Sequence, residues 1–534
     1  MSVEWYALRR SRTGVLPQIL SQIRLVMRLE RKVLALIGVY AWAMGVLFLG
    51  IPMAVQELVS TFSFAVEPVM IVTLGGVILV IWCFIAAFRV LQARAVEILL
   101  QRLYTRLALS FTAVIPRLRT ESFAPQQANV FMEAELMTRA LVAMIADLMN
   151  VIVVGAVGMT MLVFFHPYFL AYDLVLVCGF VALLTILGRG GFLITWEVSK
   201  LNYAVFTWIQ NIAANLPHIQ AMAGSPFLMK RTDELANLYV AARKVRSDFL
   251  TGRQYKAAAL WQAVGHSGLI VTAGLLVAEG QLTVGQFAAA EVIVGNLLLN
   301  MDTLARRMYA LFYVFASFRH TAELFQTPRE QHDGRDVVPL NAEAFGGIRV
   351  SCRQVSYGYP DEALLVDGVD VEVAPGGKVL LLCRTSTAKT ALAKVLAGLY
   401  VPTSGVVRYN NANLVDVGLD RLTAGRGLVL DSHPSLLEAT LEENISLGRP
   451  TVSYEDIQWA LRFVELDDDI DRLPDGLRTR VVGDGRAFTT SQILRILVAR
   501  AIVGRPHLLI FDGTLHNMVP QLREVILRRL CSKE

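Results

Sequence analysis

At 534 residues the chain is too long for one domain and suits two or three. Hydrophobic residues make up 54% of it and the mean hydropathy is +0.50, well above the usual range of soluble proteins. The formal charge is only +5 and the basic residues form no single face, which argues against a nucleic-acid-binding protein. Five scattered cysteines (Cys83, Cys178, Cys352, Cys383 and Cys531) show no CxxC or Cys/His spacing, so neither a disulfide framework nor a zinc site is expected.

In chain order, residues 1–32 are polar and Arg-bearing, without the layout of a cleavable signal. A bilayer core needs about 20 apolar residues in a helix. Val33 to Val55 and Val69 to Phe88 are free of charge and give two spans. Leu148 to Tyr172, bent back at His166-Pro167, and then Leu174 to Gly188 give two more. Ala257 to Ala278 is a fifth, and Gln286 to Met301 a weaker sixth, interrupted by Glu291 and Asn300. Glu291, Asn296 and Asn300 fall at helical spacing, which suits either a shared cavity or bonding between helices.

Lys and Arg set the orientation. They crowd the segment before the first span, the second-to-third connection and the fourth-to-fifth connection, and are missing from 56–68, 166–168 and 279–285. Both termini are therefore expected in the cytoplasm. The two basic connections stay helix-periodic, which predicts membrane helices running well past the bilayer, with a membrane domain over 33–325.

A polar linker is expected over 326–347, and a soluble α/β domain over 348–534. VLLLCRTSTAKTALAKVLAGL (379–399) reads as a buried strand, a tight loop and an amphipathic helix; HLLIFDG (507–513) reads as a second buried strand ending in an acid. Lys389 and Thr390 at the start of that helix suit phosphate held on helix N-terminal amides.

Together these segments resemble an ABC exporter half-transporter, a membrane domain and an ABC nucleotide-binding domain in one polypeptide. EGQLTVGQFAAAE (279–291) is similar to the family's short outer turn, EATLEENISLGRP (438–450) to the segment after its Q-loop, and LPDGLRTRVVGDG (473–485) to the stretch before its signature. The resemblance implies a six-helix membrane domain with a P-loop NTPase-like α/β domain, incomplete at the C-terminus. It makes Tyr359, in VSYGYP (355–360), the platform for adenine, and it makes Lys389, Thr390 and Asp512 vestigial ligands of ATP and Mg²⁺. Lys389 is open to a second reading, as a helix-start lysine facing solvent.

Departures from the family pattern are extensive. Cys383, Ser386 and Ala388 stand where the Walker A glycines would, and Gly513 replaces the Glu that activates water. The signature reads FTTSQ (488–492), the Q-loop position falls near Asp431, and His516 reads as a surface-loop histidine. A further strand with the switch histidine, normally set between the two Walker strands, does not follow Asp512. That predicts either re-pairing of those two strands or cover from a partner.

These changes imply a chain that hydrolyses ATP poorly if at all, with no catalytic residue of its own. It would act as half of a homodimer or of a heteromeric transport complex in a bacterial inner membrane. Two alternatives stand beside it: a pseudo-transporter scaffold, and a divergent but active ATP-driven exporter. The sequence leaves cargo and partner open.

Overall fold

The structure is a computed structural model describing residues 24, 27–62, 68–118, 129–221, 226–326, 347–359, 362–417, 419–430, 435–485 and 487–532. The expected linker falls almost wholly outside them, as does Asp431. Two compact units are present, 1–116 with 124–326, and 117–123 with 327–534.

The first unit is helical. Its principal helices are α1 (Arg31–Phe48), α2 (Gly50–Phe62), α3 (Pro68–Val114), α4 (Val130–Phe165), α5 (Tyr168–Leu187), α6 (Gly191–Ala214), α7 (Phe227–Phe249), α8 (Lys256–Ala278), α9 (Val284–Arg306) and α10 (Met308–Gln326). Six continuous helical stretches are long and apolar enough to cross a membrane. With 47 residues α3 runs about 70 Å, more than twice a hydrocarbon core of about 30 Å. The long extensions expected from the basic, helix-periodic connections are therefore present. The seam joining α4, α5, α8 and α9 is built from Leu162, Phe169, Leu176, Leu269, Ala273 and Val294, all nearly inaccessible.

The chain turns where the sequence bends it back, at His166-Pro167: α4 stops at Phe165 and α5 starts at Tyr168, because Pro167 has no N–H to continue a helix but suits the start of one, so the apolar run from Leu148 to Tyr172 is shared between two helices. Asp173 consequently lies inside α5, buried.

Two departures from α-geometry face each other. Between α5 and α6 the chain turns through Gly190 at φ 90°, a left-handed conformation suited to glycine. Between α7 and α8 lies a π turn, Leu250–Tyr255. Its Gln254 is fully buried beside Gly188, with neither side-chain polar atom hydrogen-bonded among the described residues.

The second unit carries two sheets. In the first, β1 (Val350–Gly358) sits between β2 (Leu364–Val373) and β3 (Ser404–Tyr409), with β4 (Ala412–Asn413) beyond β3, all antiparallel. Helix α11 (Ser386–Leu396) packs on it through Ala391, Leu392 and Val395. The second sheet is the parallel pair of β5 (Arg426–Leu430) and β6 (Leu508–Asp512), packed with α12 (Thr490–Ile502) and α13 (Pro520–Cys531). Buried Asn444 knits that layer together. It receives bonds from the Leu437 amide and Arg500 Nη2, donates to the carbonyls of Leu437 and Thr440, and its own carbonyl accepts from Arg500 Nε.

The expected buried strand at 379–383 does not form. The segment belongs to neither sheet and leaves Val379, Leu380 and Leu382 57%, 81% and 85% exposed. Residues form a strand only where a neighbour completes the ladder, and β6 is paired on one side only, with β5. The predicted re-pairing of the two strands is therefore overturned among the described residues.

Candidate functional site

The local sequence explains how the candidate residues are placed. Thr385 caps α11, its Oγ1 accepting from the Ala388 amide at 3.3 Å. This brings Lys389 to the end of the first turn and Thr390 just beyond, both half-buried. A run of β-branched and apolar residues in β6 ends in Asp512, whose side chain is 5% exposed. The Lys389 ammonium and the Asp512 Oδ1 lie 3.7 Å apart. The structure thus brings these two together and orients the lysine toward a buried carboxylate, which disfavours the reading of a lysine directed only at solvent.

Tyr359 is placed elsewhere. It closes an aromatic cluster of the first sheet, its ring 5.9 Å from Tyr357 and 6.3 Å from Tyr400. It remains half-buried.

The residues around this pair fit a Mg²⁺–triphosphate in part. A cation next to a buried carboxylate suits a phosphate and its metal, with Asp512 holding Mg²⁺ and Lys389 the phosphate. The loop suits it less well. Where the last Walker A glycine would stand, the Ala388 amide is already bonded to Thr385, so it is not free to cradle an oxygen. Gly513 follows Asp512 at φ 74°, a conformation that an L-residue such as Glu would adopt only with strain. In FTTSQ, Thr489 caps α12 and Gln492 returns the bond to the Thr489 amide, a reciprocal capping box. Exposed His516 lies on a short turn, Thr514–Asn517.

The cysteines have no pairing: among the described residues all five are free. Cys352 is buried in β1, where burial first, and then Asp370, push its thiol up to about 11.

Sequence reasoning missed other groups. In the membrane unit His266 Nδ1 meets Glu291 Oε1 at 2.7 Å, joining α8 to α9. The expected bonding between helices thus holds for Glu291, whereas Asn300 bonds Asn296 within its own helix. A polar residue inside an apolar run is the available signal, and Asp173 and His266 each carried it.

Comparison with known proteins agrees with the geometry. Residues 366–516 match the model described as "ABC transporter". A fatty acid ABC transporter ATP-binding/permease protein of Mycobacterium bovis is 29% identical over 266 residues, 50% of this chain and 41% of that one. The alpha-hemolysin translocation ATP-binding protein of Escherichia coli is 26% identical over 314 residues, 58% and 43% respectively. The match spans about two fifths of those relatives' length. The solved structure of a bacterial Atm1-family ABC exporter with ATP bound shares the fold, with TM-score 0.82 and 19% identity, covering 94% of this chain and 89% of that one. Residues 366–516 thus match an ABC transporter domain, and the chain has the fold of an exporter-type half-transporter, with six helical stretches long and apolar enough to cross a membrane.

Proposed function

We propose that the chain is one half of an ATP-driven exporter, divergent in its ABC domain and completed by a second half, either a copy or a related subunit. The observation carrying this reading is the Lys389–Asp512 pair, a phosphate-and-metal site in outline, on an exporter-type fold. When bound, Mg²⁺-ATP would supply a phosphoryl group for transfer to water. Lys389 and Thr390 would hold phosphate, Asp512 the metal, and Tyr359 the base. The Lys and Arg distribution supports termini on the cytoplasmic side of a bacterial inner membrane. The two named relatives handle different cargo, so no cargo is carried over.

A second reading, a half that binds nucleotide without turning it over, is favoured by Gly513 next to Asp512 and by the capped amides of Ala388 and Gln492. None of these supplies a base or a free amide cradle.

One experiment separates these readings: equilibrium binding of a labelled ATP analogue to the purified full chain, with steady-state hydrolysis measured in parallel. Loss of a charge-assisted phosphate contact is worth about 1.5–3 kcal/mol, so Lys389→Ala should weaken binding roughly 10- to 100-fold. Turnover abolished by Asp512→Asn supports the active exporter. Binding without turnover selects the second reading, and no binding by the unaltered chain sinks both, leaving a scaffold.

A further inference from the structure

Asp173 is the least expected group in the membrane unit. It is 4% exposed, and neither carboxylate oxygen has a hydrogen-bond partner among the described residues. Its helix neighbours Phe169 and Leu176 are packed into the apolar seam with Leu162 of α4 and Leu269 of α8. A carboxylate taken from water into such surroundings is costly unless a counter-charge or a proton accompanies it.

The seam supplies no fixed counter-charge. Residues 159–183 and 258–298, covering the facing parts of α4, α5, α8 and α9, contain no Lys or Arg. They do supply titratable partners. Tyr172, next to Asp173 in the chain, donates its hydroxyl to the Gly265 carbonyl on α8 at 2.7 Å, one residue from His266. Next to Gly265, His266 holds Glu291 Oε1, while buried Glu291 Oε2 has no hydrogen-bond partner among the described residues. Among the described residues, other titratable groups near this half include His166 and Tyr168 at one turn, Glu279 at the next, Glu57 on α2 and Cys178 further along α5. At 1.5 Å per residue, Asp173 lies roughly 9 Å beyond Pro167 and Glu291 roughly 12 Å beyond Thr283.

We propose that Asp173 and the His266–Glu291 pair, set on helices that the Tyr172–Gly265 hydrogen bond ties together, form a proton-binding site in the half of the membrane unit nearer the 166–167 and 279–283 turns. The ligand is a proton because an enclosed carboxyl among apolar side chains admits that ligand without repacking. The step moves one proton from hydronium to a carboxylate oxygen: one O–H bond of hydronium breaks, leaving water, and one O–H bond forms on the carboxyl. Its neutralisation alters the charge carried by α5 against α8 and α9, so the packing of these helices responds to proton uptake. The inference is independent of whether the ABC domain turns over nucleotide.

The test is difference infrared spectroscopy of the detergent-purified full chain, stepped in pH in deuterated buffer. A carboxylic-acid band that exchanges slowly with deuterium should appear and be lost in Asp173→Asn. Its titration midpoint should move by about one pH unit in Glu291→Gln, as expected for removal of a nearby charge, and should also move in Tyr172→Phe. A spectrum unchanged by Asp173→Asn overturns the site, and midpoints unchanged in both other variants overturn the linkage. Should Asp173→Asn not yield folded protein, the Glu291→Gln and Tyr172→Phe midpoints decide, since an indifferent band refutes a shared site.

Discussion

Replacing Leu380 and Leu382 by Ser tests the unpaired segment directly. Full burial of a Leu side chain is worth about 1.5–3 kcal/mol. With 81% and 85% of each exposed, less than a fifth of that is at stake, or about 0.3–0.6 kcal/mol per site. A change of 1 kcal/mol moves the melting point of a 150–250-residue domain by about 2–4 °C. Each substitution should therefore shift the melting of the second unit by no more than about 2 °C. Leu441→Ala, at a site with no exposure, should cost about 2–5 kcal/mol and serves as the internal contrast. The assay is thermal unfolding of the purified full chain in detergent, following the second unit through Trp459 fluorescence against a Trp459→Phe control. A drop of the Leu441→Ala size in Leu380→Ser would refute the exposed segment and restore the buried strand that the sequence suggested.

Two further outcomes follow from the second unit. Asn444→Ala removes a fully buried amide and deprives the Leu437 groups and Arg500 Nη2 of their Asn444 side-chain partner, so a loss of about 2–4 kcal/mol is expected in denaturant unfolding. Glu443 and Asp456 close capping boxes, and hydrogen bonds from the Thr440 backbone and the Ser453 hydroxyl, respectively, hold their carboxyls below the usual carboxylate range. Because these values are depressed in the folded state, the stabilisation is present above the unfolded values and is lost as pH falls through the folded ones. Glu443→Gln and Asp456→Asn should therefore flatten the acid limb of the stability–pH curve, and an unchanged limb would contradict this.

Much of the membrane unit was legible because hydrocarbon imposes a simple rule: runs of some twenty apolar residues, with basic residues kept to one side. The fourth span shows where the rule misleads. Asp173 separates two apolar runs, but with the chain turning at Pro167, where the sequence also bends it, this charge lies inside the helix, and tertiary packing took the carboxyl in. At the candidate site, Lys389 and Asp512 were legible through their motif and do meet. The strand at 379–383 was misjudged because a continuous apolar run reports a preference for burial, whereas a strand needs a neighbour that no local pattern reveals. FTTSQ was read for what it lacks, though its Thr and Gln at three-residue spacing announce a helix cap.

The reciprocal caps of this chain are not chemically equivalent. Those at Thr440 and Ser453 are closed by carboxylates, while those at Thr283 and Thr489 are closed by the amides of Gln286 and Gln492. An amide has no proton to gain in mild acid, so acidification should loosen the helix starts unevenly, fraying those at 440 and 453 while α9 and α12 keep their first turns. The order in which the protein comes apart at low pH is thus written in the third residue of each helix.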